Sequence, residues 1–236
     1  MNTQYYLIHG IDKSRGEMMK ADFLKYGLDN DKVKWINHPN KDELTNELID
    51  SIIIKEPSYS CGVLIPPEFL QNHRGRISCA YKHYLALKDI VENRYDYGVI
   101  IEDNIHFTCN IPEMVNSHIN ELDKLYPNDW DIIFDCDWIG VASPPFFCEY
   151  PINKDVHVYK KSNEVTRQCQ GGTKSATFYL LTYKCAKILY ENYLPFNANP
   201  DWIMNDLFRK FNIKSFWVEP YMVKVHDHHI STTSNN

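Results

Sequence analysis

The sequence contains no apolar run long enough to cross a bilayer. Its longest, such as Tyr97 to Ile101 and Ile52 to Ile54, fall far short of the roughly 20 residues that a membrane helix needs. The opening, Met-Asn-Thr-Gln-Tyr-Tyr-Leu-Ile-His-Gly, lacks the basic region and apolar stretch of a secretory signal. A cytoplasmic protein is therefore expected, one that meets any membrane-bound substrate from the soluble side. A basic excess is also missing: 25 Lys and Arg face 31 Asp and Glu, for a net charge of -6. Nucleic-acid binding driven by phosphate neutralisation is excluded on that ground. Paired cysteines are missing too. The 7 cysteines are scattered, no CxxC occurs, and reduced thiols are the expected state. No Cys or His pair has the spacing of a structural zinc site, so zinc is not expected. Repeats and linkers are lacking, which predicts a single domain over residues 1–236 with a polar tail from about residue 231.

What is present is an ordinary globular balance, 44% hydrophobic and 24% charged, with a high aromatic share of 14%. Rings in that number fill cores and also build platforms for sugar-like ligands. Gln4 to Ile8 and Val33 to Ile36 read as short strands, with an amphipathic helix from Lys13 to Tyr26 between them. Lys13 and Arg15 read as the solvated start of that helix. Leu44 to Ile54 begins as a helix and ends in β-branched residues. Ile77 to Asn93 has the clearest helical period, through Ile77, Ala80, Tyr81, Tyr84, Leu85, Leu87 and Val91. Tyr97 to Ile101 reads as a buried, parallel strand. Strands follow at Trp130 to Phe134, Thr177 to Leu181, Ser215 to Glu219 and Met222 to Val225. Helices fall at Tyr183 to Tyr193 and Trp202 to Phe211. Strands alternating with helices define an α/β protein.

Ligands of open α/β sheets sit beyond the carboxyl ends of strands. Glu102-Asp103-Asn104 stands at that place after the best buried strand. Adjacent carboxylates there repel unless a cation or hydrogen-bond donors satisfy them, and oxygen ligands suit Mg²⁺ or Mn²⁺. A solvated acidic turn is the plainer reading. Asp135-Cys136-Asp137 follows another strand by the same logic and is the better Asp-x-Asp match. The run His226-Asp227-His228-His229 supplies imidazoles that could complete a metal shell, or form an exposed polar tail.

Several segments, in order, resemble glycosyltransferase family 25, which holds lipopolysaccharide sugar transferases and procollagen galactosyltransferases. They are Tyr5-Tyr6-Leu7-Ile8, Gly75-Arg76-Ile77-Ser78-Cys79-Ala80-Tyr81-Lys82-His83, Gly98-Val99-Ile100-Ile101-Glu102-Asp103-Asn104, Trp130-Asp131-Ile132-Ile133, and Gly172-Thr173 leading into Ala176-Thr177-Phe178-Tyr179-Leu180. The family's helix usually reads Gly-Glu-x-Gly-Cys-x-x-Ser-His, and its metal strand ends in Glu-Asp-Asp. The resemblance implies a GT-A glycosyltransferase fold, Rossmann-like, with a mixed central sheet flanked by helices. It implies a UDP-sugar donor, UDP-glucose or UDP-galactose, and a Mn²⁺ or Mg²⁺ ion. It ranks Glu102, Asp103 and Asn104 above Asp135 and Asp137, and it raises His226 and His228 as metal ligands beside Asp103 and Asn104. This chain departs from the family at Asn104, where the last acid stands, at Arg76 in place of Glu, and at Lys82 in place of Ser.

The same resemblance sets the expected chemistry. The metal would neutralise charge developing on the leaving UDP. His9, Gly10 and Asp12 would lie beside the nucleotide, with Cys79, His83, Glu102 and Gly172 completing the donor site. The family is generally inverting, which requires a base for the acceptor hydroxyl. Asp201 and Asp206 are the candidates, although Asp201 also suits a helix start. Trp202 could stack on a sugar or simply pack. The acceptor is either a lipopolysaccharide-type glycan or hydroxylysine, bare or glycosylated, in a collagen-like protein, and the lack of a basic patch leans toward the latter. A metal-dependent nucleotidyltransferase or phosphohydrolase, or a non-catalytic nucleotide-sugar-binding protein, are the competing readings.

Overall fold

The computed structural model describes residues 2–135, 158–160, 175–218 and 220–225. In chain order its elements are β1 (Thr3–Ile8), α1 (Lys13–Lys25), a 3-10 turn (Asn30–Lys32), β2 (Val33–Ile36), α2 (Asn46–Ile52), β3 (Ser58–Ser60), β4 (Val63–Ile65), α3 (Glu68–Gln71) and α4 (Arg74–Asn93). Then come β5 (Tyr97–Glu102), β6 (Ile105–Phe107), α5 (Ile111–Leu125), β7 (Ile132–Phe134), β8 (Val158–Lys160), β9 (Phe178–Thr182), α6 (Tyr183–Asn192), α7 (Pro200–Phe211), β10 (Ser215–Val218) and β11 (Val223–Val225).

Seven strands form one sheet in the order β2-β1-β5-β9-β7-β10-β8. Strands β2, β1 and β5 run parallel, β9 runs against both β5 and β7, and β10 lies parallel to β7. The mixed central sheet flanked by helices is thus present. Strand β5 is parallel to β1, as its sequence predicts, and antiparallel to β9.

The alternation of side chains explains why the strands read as continuous apolar runs. Tyr6, Ile8 and Ile100 face one side with α4, α6 and α7, whereas Tyr5, Leu7, Val99 and Ile101 face the other with α1 and α5. Both faces are covered, so neither position along a strand can be polar. Among the strands, Gly98 is set by packing. A Cβ there would lie 2.2 Å from Ile90 Cδ1 and 3.3 Å from Leu181 Cδ2. The absent side chain lets α4 lie directly on β5.

Between residues 105 and 128 no element is expected from the sequence, yet α5 is strongly amphipathic. Asn110 caps it by accepting from the Glu113 N–H, Pro112 opens its first turn, and Ile111, Met114, Val115, Ile119 and Leu122 are buried. The short strands β3, β4 and β6 are likewise unsignalled, being three residues each in tertiary ribbons. Ribbon β6–β11 pairs Ile105 with Val225 and Phe107 with Val223. No helix among the described residues is long and apolar enough to cross a membrane.

Gly98→Ala should therefore destabilise the protein by about 1–3 kcal/mol, the usual range for overpacking. Removing the offending methyl with Ile90→Val should recover part of that loss, so the double variant will be more stable than the sum of the single effects. Urea unfolding of the four proteins measures this; strict additivity would show that Ile90 is not the constraint.

Candidate active site

Parallel pairing aligns Ile8 with Glu102, so the segments leaving β1 and β5 emerge side by side. His9 and Gly10 follow one strand; Asp103 and Asn104 follow the other. Asp103 is buried, and the turn after β1 answers its charge. His9 Nδ1 lies 2.7 Å from Asp103 Oδ2, and the Gly10 N–H donates to the same oxygen at 3.1 Å. The Arg15 guanidinium reaches Asp103 Oδ1 at 3.4 Å. Burial pushes the Asp103 carboxyl up, but the hydrogen bonds from His9 and Gly10 and the charges of His9 and Arg15 outweigh it and hold the group below its usual range.

The clamp is itself supported. Gly16 lets α1 approach, since a Cβ there would meet His9 Nε2 at 3.1 Å. Trp35 meets the His9 ring edge-on, with centroids 5.4 Å apart. Lys82, buried on α4, donates to the His9 carbonyl at 2.7 Å and to Asn40 Oδ1 at 3.1 Å. Burial pulls the Lys82 ammonium below its ordinary pKa. The sequence marks Lys82 only as a departure and reads Arg15 as solvated. The structure corrects the latter: Arg15 is buried against Asp103.

Glu102 turns the other way, toward α4. Its Oε1 lies 3.1 Å from His83 Nε2 and accepts from the Cys79 thiol at 3.7 Å. His83 is fully buried, and its Nδ1 lies 2.8 Å from the Tyr179 hydroxyl, with the two rings stacked. Cys79, His83 and Glu102 present ligand atoms within 4.8 Å of one another and could hold a metal ion. Cys79 and His83 are one helical turn apart, which puts both on the face of α4 that meets β5.

The remaining expected residues divide sharply. Asp12 caps α1, accepting from the Ser14 and Arg15 N–H groups, and the Ser14 hydroxyl bond leads in lowering its pKa. Asn104 has a buried amide oxygen without a hydrogen-bond partner among the described residues. Asp135 is consumed by the fold: its Oδ2 meets His118 Nε2 at 2.9 Å, while Oδ1 accepts from the Met222 and Val223 N–H groups at 2.6 and 3.3 Å. Its position after a strand is real, but every direction it faces is filled.

Asp206 is similarly engaged. It accepts from the Ser60 hydroxyl at 2.6 Å, the Cys61 N–H at 3.0 Å and Arg209 at 2.6 Å, and so ties ribbon β3–β4 to α7. Asp201 lies in the first turn of α7, where Asn199 rather than Asp201 is the cap. Trp202 stacks on Phe69 at 6.3 Å. Asp137, Gly172, His226 and His228 lie outside the described residues, although Val225, just before His226, pairs with Ile105, just after Asn104.

Because the folded-state pKa of Asp103 is lowered, its ion pairs stabilise the fold above the ordinary carboxylate pKa of about 4. That stabilisation is lost as pH falls through the folded value. The stability gap between wild type and Asp103→Asn should be constant near neutrality and shrink in acid. Chemical denaturation from pH 7 downward reads it; a gap unchanged throughout would mean that the charge of Asp103 is not what the clamp uses.

Among curated proteins, no sequence match is found. Three solved structures align with most of this chain at TM-scores below 0.5. A197 from STIV is 11% identical, with 98% of this chain and 97% of that chain covered, at a TM-score of 0.45. Drosophila β1,4-galactosyltransferase 7, a mutant in complex with manganese, UDP-Gal and xylobiose, is 9% identical over 97% and 72% of the two chains, at 0.39. Mouse xyloside xylosyltransferase 1, in its apo form, is 15% identical over 90% and 63%, at 0.35. The assignment rests instead on sequence: the model for glycosyltransferase family 25 (LPS biosynthesis protein) matches residues 11–204, from just ahead of α1 into α7, and the chain belongs to that family.

Proposed function

We propose that the protein transfers a hexose, glucose or galactose, from a UDP-sugar to a hydroxyl acceptor, with a divalent cation such as Mn²⁺ or Mg²⁺ on the diphosphate. The observation that carries this reading is the pair of strand ends, β1 and β5, converging on an acidic triplet whose buried Asn104 Oδ1 has no hydrogen-bond partner among the described residues. Such an oxygen is a costly thing to leave unpaired, and a hard cation would satisfy it. Asp103 Oδ1 offers a second oxygen, since its contact with Arg15 is long for a charge-assisted bond. His226 and His228 are the proposed completing ligands, supported by the β6–β11 register that leads the chain toward Asn104.

When bound, the cation would neutralise charge on the departing diphosphate. The chain's own residues do the rest. His9, Gly10 and Arg15 hold Asp103 ionised and fixed in direction. Lys82 adds a buried positive charge behind the same turn. His83 and Cys79 hold Glu102 against α4. Asp12 contributes by starting α1, which carries Arg15 and Gly16 to the site. Gly172 is kept as a donor-site residue on the family motif alone.

Asp201 is the proposed general base for the acceptor hydroxyl. The bonds of Asp206 hold the β3–β4 ribbon beside α7, whereas Asp201 is proposed on its place in the Pro-Asp-Trp start of that helix. The family description favours a glycan acceptor of the lipopolysaccharide type, with collagen-type hydroxylysine as the protein alternative. One domain over the whole chain is part of the same reading.

Calorimetry should show UDP-galactose or UDP-glucose binding in the presence of Mn²⁺ and weaker binding after chelation. Absence of binding with Mn²⁺ present would overturn the donor assignment. Asp201→Asn should lower UDP release toward saccharide or hydroxylysine acceptors by about 10²- to 10⁴-fold at unchanged donor affinity. A full transfer rate would remove Asp201 from the role. Donor binding without transfer to either acceptor class would favour a nucleotide-sugar-binding protein.

A further inference from the structure

We infer that Cys79, His83 and Glu102 form a binding site for a borderline-soft divalent ion of the zinc class, separate from the oxygen ligands proposed for the diphosphate cation. The three ligand atoms come from two elements, α4 and the end of β5, and lie within 4.8 Å of one another. Two of the separations, 3.1 Å for His83 Nε2 to Glu102 Oε1 and 3.7 Å for Cys79 Sγ to Glu102 Oε1, fit ligands about 2.0–2.3 Å from a common tetrahedral centre. A thiolate, an imidazole and a carboxylate are a poor set for Mg²⁺ and a good one for zinc. Three protein ligands leave a fourth position open. Cys79 and Glu102 both keep part of their surface exposed, which gives an ion a way in.

The surroundings support the ion rather than only the hydrogen bonds now present. Tyr179 holds His83 by Nδ1, so the ring is oriented with Nε2 toward Glu102 and Cys79. In the bound state His83 would carry its proton on Nδ1 and donate it to the Tyr179 oxygen, the usual outer-shell arrangement for a metal-bound histidine. Cys79 is a free thiol, and the thiolate is the form that ligates a metal. Binding therefore converts the thiol to thiolate and releases one proton to solvent, and no oxidant or other reactant is involved.

The test uses the full chain, stripped with chelator and titrated with Zn²⁺ or Co²⁺ without nucleotide. The expected result is one ion retained per chain, thiolate-to-cobalt charge-transfer absorption, and release of about one proton per ion across buffers of different ionisation enthalpy. Cys79→Ser should abolish the charge-transfer band. Tyr179→Phe keeps every ligand and should lower affinity about 10- to 100-fold. Asp103→Asn should keep the band. Zinc should also raise the Tm of wild type and not that of Cys79→Ser, a comparison that holds even if the variant is less stable. A band of equal strength in Cys79→Ser, or no ion retained by wild type, would overturn the site. Because these readouts need no donor, they fail or succeed independently of UDP-sugar binding.

Discussion

A desolvated carboxylate must be answered by charge or by hydrogen bonds, and the answer to Asp103 organises the surrounding fold. His9 and Gly10 come from the turn after β1, Arg15 from α1, and Lys82 from α4 through the His9 carbonyl. Three elements from separate parts of the chain are thereby fixed to the end of β5. Small residues make the convergence possible. Gly16 gives α1 its approach to His9, and Gly98 gives α4 its approach to β5. Loss of any one donor would leave buried charge uncompensated, which is the expensive direction of error in a protein interior.

Two neighbouring acids in one triplet are thus put to opposite uses. Asp103 faces the cationic turn on the β1 side, and Glu102 faces a thiol and an imidazole on α4. Asn104, between Asp103 and ribbon β6–β11, keeps an amide oxygen unanswered among the described residues. The division follows from strand geometry, in which successive side chains alternate in direction. It also separates the chemistry. Hard oxygen ligands gather where a diphosphate cation is proposed, and softer ligands gather behind them on the long helix.

The same accounting explains why acids with a promising place in the sequence differ in the fold. Asp135 follows a strand just as Asp103 does, yet its oxygens are filled by His118 and by the N–H groups of Met222 and Val223. Asp206, on α7, is bound by Ser60, Cys61 and Arg209. An acid held by three donors has its direction and its proton affinity committed to structure. The aromatic excess divides in the same way, with Tyr6, Tyr179, Phe134 and Phe208 inside the core and Trp202 partly buried at its edge on Phe69.

The sequence by itself determined the α/β class, the doubly buried strands, the long helix of α4 and the place of the acidic triplet. Those features rest on local period and on short-range spacing, which a single chain displays directly. It also carried the family motif. Helix α5 carries weaker local marks, namely the Asn110 cap, Pro112 and the period from Ile111 to Leu122. Only the tertiary structure decided which acids were spent, that Arg15 was buried, and that Cys79, His83 and Glu102 met in one place. The physical reason is range. A hydrogen bond between His9 and Asp103, or between Ser60 and Asp206, joins residues 94 or 146 positions apart, and their meeting depends on strand register and helix packing rather than on neighbours in sequence.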